Sequence, residues 1–62
     1  MKVRDMIRRL EADGWYRVFA KGGHRQYKHA VKRGRVTVPG QLNADLDKKT
    51  ANSILKQAGL QE

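Results

Sequence analysis

A chain of 62 residues with no cysteine and a formal net charge of +8 has room for one small domain with a thin core, since a chain this short buries only about 60% of its unfolded surface. The missing thiols exclude a disulfide framework and a thiolate zinc site, and they point to a reducing, cytoplasmic setting. No apolar run approaches the ~20 residues that cross a bilayer, and the N-terminus lacks a hydrophobic stretch of signal-peptide type, so a single soluble domain over 1–62 is expected.

Val3, Met6, Ile7 and Leu10 recur at i, i+3, i+4 and i+7, the spacing of one apolar helix face, and this helix is expected to end near Asp13-Gly14. From Trp15 the pattern becomes aromatic and β-branched among basic residues, "WYRVFAK", which predicts a strand. Gly22-Gly23 supplies a hairpin turn, "HRQYKHA" a second strand, and "RVTV" a third that Pro39-Gly40 stops. Gln41 to Leu46 reads as loop. Asp47 is placed to cap a second helix with Ala51, Ile54, Leu55 and Ala58 on its inner face, Gly59 as its left-handed terminator and Leu60 folding back.

The expected fold class is therefore α+β in the order α-β-β-β-α. Two helices with one apolar stripe each must share one face of a three-stranded antiparallel sheet, which leaves the other face bare. Alternation sends Val18, Tyr27, Val36 and Val38 toward the helices and His24, Gln26, Lys28, Arg35 and Thr37 to the open face. Arg17, Phe19 and Lys21 fall outward by the same parity, an assignment that a bulge would overturn. Trp15 and Tyr16, at the junction of helix and sheet, are expected in the core.

Seven Lys or Arg and no acid lie between Trp15 and Val38. A field concentrated in this way attracts a polyanion, with nucleic acid the first candidate and an acidic protein the second. His24 stands in the same segment, after two glycines that let a phosphate approach. Cleaving RNA without a metal needs a base for the ribose 2′-hydroxyl, cations for the phosphate and an acid for the leaving oxygen. An imidazole fits the first and last roles, and Lys21, Arg25 and Lys28 are the nearby cations. His29 is five residues away on the opposite face, so it cannot share that site, and no metal ligand set is expected. Walker, Rossmann and nucleophile-elbow motifs are absent.

The segments "LEADGW", "KGGHRQYKH", "RVTVPG" and "SILKQAGL" together resemble the HicA family of small bacterial toxins, in that order and spacing across nearly the whole chain. The resemblance implies a fold like that of double-stranded RNA-binding domains. It also implies endoribonuclease action on mRNA without metal or other cofactor, neutralised by a HicB-type antitoxin with which a higher-order complex can form. The family's catalytic histidine falls on His24 and its turn glycine on Gly22. Gly23 stands where relatives more often carry serine, and Gly40-Gln41 replace a further histidine that many carry after Pro39.

The expected site is thus His24 as catalytic residue, with Lys21, Gly22, Gly23, Arg25, Gln26, Lys28, Arg35 and Thr37 contacting RNA. Two other readings of the same residues stay open. One is a non-catalytic module that grips structured RNA by shape and phosphate contacts; the other is a basic face meant only for an acidic protein.

Overall fold

The computed structural model describes residues 1–60; Gln61 and Glu62, the end of the expected 1–62 unit, lie outside the described residues. The elements run α1 (Val3–Ala12), β1 (Trp15–Lys21), β2 (His24–His29), β3 (Val36–Pro39) and α2 (Lys48–Gln57). The three strands form one antiparallel sheet in the order β1-β2-β3. This is the expected α+β arrangement. β2 stops one residue before Ala30, and β3 begins at Val36 and includes Pro39, which an edge strand tolerates because its missing N–H faces no ladder partner.

Both helices bury their predicted stripes on one face of the sheet. Val3, Met6 and Leu10 of α1, Ala51 and Ile54 of α2 and Ala58 at its C-cap close over Trp15, Tyr27, Val36 and Val38, with Leu46 at the end of the 41–46 loop and Ile7, Leu55 and Leu60 at the margin. Asp47 caps α2 as expected, its Oδ1 accepting from the Thr50 N–H at 3.2 Å. The helix ends in a Schellman motif, with Leu60 N–H donating to Leu55 O and Gly59 N–H to Lys56 O.

α1 has no side-chain cap at Lys2. Its first N–H groups are satisfied by the 41–46 loop instead: Val3 N–H donates to Ala44 O at 2.9 Å and Arg4 N–H to Leu42 O at 3.2 Å. The Arg4 guanidinium adds a bond to Asn43 Oδ1 at 2.9 Å. A segment without regular structure therefore serves as the cap of a helix forty residues earlier.

The remaining pole of the domain is held by polar contacts. His29 Nε2 lies 2.7 Å from Asp13 O, while its Nδ1 accepts from the backbone N–H groups of Val31 and Lys32 at 3.0 and 3.1 Å. Two donors on Nδ1 leave it unprotonated, so the ring is held as the Nε2–H tautomer and donates to Asp13 O. Lys32 Nζ bridges the Asp13 carboxylate at 2.5 Å and Ala58 O at 2.9 Å, tying the C-terminal ends of both helices together. Trp15 packs edge-on against the His29 ring, with centroids 5.2 Å apart.

The hydrogen bond from Lys32 holds the Asp13 carboxyl below the ordinary value of 3.8, and the Thr50 side chain together with its backbone N–H does the same for Asp47. Both groups then bind protons less readily folded than unfolded. Their contribution to stability is complete above pH 3.8 and is lost as pH falls through the lowered values. Denaturant titrations at pH 7 and pH 3 should show this loss, and the difference between the two should shrink in Asp13→Asn and Asp47→Asn.

Candidate active site

β1 and β2 pair in an unbroken register except between Arg17 and Phe19, where Val18 is extra. This bulge reverses the parity of the first half of β1. Arg17 stands opposite Tyr27 on the helix-bearing side, where it lines a groove with Arg25, Glu11 and Ile7, and Val18 is exposed. The expected assignment of Arg17 outward and Val18 inward is therefore corrected. Tyr16 pairs with Lys28 and is half exposed, so of the two junction aromatics only Trp15 joins the core. Beyond the bulge the expected parity returns, with Phe19 opposite Gln26 and Lys21 opposite His24.

The open face now reads in three rows. Tyr16 and Lys28 form one, Phe19, Gln26 and Thr37 the next, and Lys21, His24 and Pro39 the last. Lys21, His24, Lys28 and Thr37 are exposed. Arg35, just before β3, lies over the middle of the face and donates from Nη1 to Gln26 Oε1 at 2.9 Å. Gly22 and Gly23 make a two-residue turn with φ at +60° in its first residue only, as hairpins of type II′ require, so Gly22 delivers β2 with His24 at its first position. A Cβ built at Gly23 meets nothing nearer than Gly40 N at 3.9 Å, so a side chain would fit there.

Arg25 is not in this company. It alternates to the helix-bearing side, is half-buried, and donates from Nη1 to Gly40 O at 2.7 Å. Its charge orders the turn that follows Pro39, the residue paired with His24. Lys32 is likewise occupied between the helix ends. Of the seven central cations, Lys21, Lys28 and Arg35 reach the rows around His24.

α2 contributes what sequence reasoning missed. Lys49, Thr50, Ser53, Ile54 and Gln57 share an open groove of about 420 Å³ with His24, Thr37 and Pro39. These polar residues recur at helical spacing beside the apolar stripe, a visible signal, but nothing in the chain says that this flank faces β3 and its neighbour His24. The groove joins the His24 imidazole to the Lys49 ammonium, three hydroxyls and the Gln57 carboxamide, and Lys21 stands opposite His24 across the ladder. Such a set can move a proton and bind a phosphate. Among the described residues, no three of His, Asp and Glu converge as a metal site.

A family model described as the HicA toxin of bacterial toxin-antitoxin systems matches residues 3–60. The chain belongs to the HicA toxin family. Among solved structures, a chain of the "Toxin-Antitoxin complex from Streptococcus pneumoniae" superposes on this HicA chain with a TM-score of 0.79 and 34% sequence identity, covering 97% of this chain and 98% of that one. Comparison with curated proteins gives no significant match. The HicA assignment agrees with the resemblance carried by "KGGHRQYKH" and "SILKQAGL", and no described helix is long and apolar enough to cross a membrane.

Proposed function

We propose that this HicA chain is the toxin of a toxin-antitoxin pair and acts as an endoribonuclease on mRNA, with His24 as its general acid-base. The observation that carries the reading is the position of His24: exposed at the rim of the open face, between Lys21 and the α2 residues Lys49 and Ser53. His24 takes the proton of a ribose 2′-hydroxyl. The 2′-oxygen attacks the adjacent phosphorus, the bond from phosphorus to the 5′-oxygen breaks, and that oxygen leaves as a hydroxyl after gaining a proton. Lys21 and Lys49 face the phosphate oxygens and stabilise the charge that gathers there. Gln26, Lys28, Arg35 and Thr37 hold the flanking RNA, and Gly22 and Gly23 leave room for its backbone.

Inhibition follows from the same surface. A HicB-type antitoxin offering acidic side chains to this face competes with RNA for its cations and covers His24. The structural neighbour was solved as a toxin-antitoxin complex, which supports a protein partner of this kind.

The test is incubation of the purified protein with a long RNA in excess EDTA. Cleavage is expected to persist and to yield 2′,3′-cyclic phosphate and 5′-hydroxyl ends, because the nucleophile is the ribose itself. Ends of 5′-phosphate type, or loss of activity restored by added divalent metal, would refute the mechanism.

A further inference from the structure

Tyr16 and Phe19 are three residues apart in one strand, a spacing that alternation sends to opposite faces. The extra residue at Val18 returns both to the open face, Tyr16 opposite Lys28 and Phe19 opposite Gln26. The two residues are 48% and 52% exposed, and neither belongs to the core that the helices cover. Phe19 lies one row from His24, and Tyr16 one row further. Each row is about 7 Å from the next, two residues of strand rise.

We propose that Tyr16 and Phe19 form a stacking platform for two successive unpaired bases, so that the substrate of this site is a single-stranded segment of RNA. The inference rests on the ribonuclease reading given above and names its substrate class. Aromatic rings on an exposed sheet face stack bases that have been splayed out of a helix, and a paired base cannot present its face to them. The chemistry around the rings fits that occupant. Lys28 and Lys21 flank the two rings for the phosphates, the Gln26 carboxamide beside Phe19 offers hydrogen bonds to a base edge, and His24 meets the backbone one nucleotide beyond. An acidic protein would use the cations but has no need of two bare rings between them.

The experiment uses His24→Ala as the background, so that binding is read without cleavage. A single-stranded eight-nucleotide RNA carrying 2-aminopurine, and a blunt RNA duplex of the same charge, are titrated with this protein and with Phe19→Ala, Tyr16→Ala and Phe19→Tyr versions of it. Loss of one ring is expected to raise Kd for the single strand at least about fivefold and to remove the stacking quench of 2-aminopurine fluorescence. Phe19→Tyr keeps a ring and is expected to bind within about twofold of the parent. The dependence of log Kd on log salt stays the same, since no phosphate contact is removed. The proposal is overturned if single-strand affinity is unchanged in both alanine variants, if the duplex weakens equally, or if Phe19→Tyr fails to restore binding. Because the readout is binding, a protein that cleaves nothing would refute the nuclease reading and leave this result interpretable.

Discussion

Replacing His24 by alanine is expected to lower the rate of RNA cleavage by about 10²- to 10⁴-fold, the range that a positioned acid-base contributes, while the Kd for RNA changes little. The split between rate and binding follows from where the residue sits. His24 is exposed and makes no hydrogen bond to another described side chain, so its loss leaves the fold and the Lys21, Lys28 and Arg35 charges intact. Lys49→Ala is expected to act differently, weakening RNA binding and cleavage together, because an ammonium that faces the phosphate acts on bound and reacting states alike. Single-turnover cleavage beside a binding titration separates the two. If His24→Ala retains full cleavage, the imidazole has no part in the chemistry and the groove residues of α2 become the next candidates.

The largest loss of stability from a single methyl group is expected at Gly14. This residue follows α1 with φ at +104°, and a Cβ built there lies 2.8 Å from His29 Nε2. Gly14→Ala therefore meets two costs. The backbone strain is about 1–2 kcal/mol for a residue with a side chain, and displacing the His29 ring breaks its bond to Asp13 O, at about 1 kcal/mol. A domain of this length has a total stability of only about 3–9 kcal/mol, so a loss of about 2–3 kcal/mol is a large share of it. Urea unfolding monitored by Trp15 fluorescence should show the midpoint falling with an unchanged slope. Gly22→Ala, whose Cβ would meet nothing within 4 Å, carries only the strain and should lose less. Equal losses at the two glycines would mean that the His29 contact contributes nothing.

These two residues also mark how far the chain can be read unaided. The α-β-β-β-α order, the two apolar stripes, the Asp47 cap, the Gly59 terminator and the outward parity of His24, Gln26, Lys28 and Thr37 all depend on local spacing. Spacing is written along the chain, because side-chain direction in a helix or a strand repeats over a few residues. The concentration of positive charge is legible for the same reason.

What the sequence by itself determined, then, is the element order, the buried stripes and the face on which His24 stands. The tertiary structure alone decided which cations accompany it. Arg25 is held by Gly40 O, Lys32 lies between Asp13 and Ala58, and Arg17 is turned inward by one extra residue at Val18. It also decided that Tyr16 joins Phe19 on the open face, that Lys49 and Ser53 line the groove, and that the 41–46 loop caps α1. Each of these is a contact or register between segments remote in sequence, or a single-residue slip in pairing, and local periodicity carries no information about either. Only when the backbone closes on itself does a uniformly basic segment divide into groups that hold the fold and groups left exposed around His24.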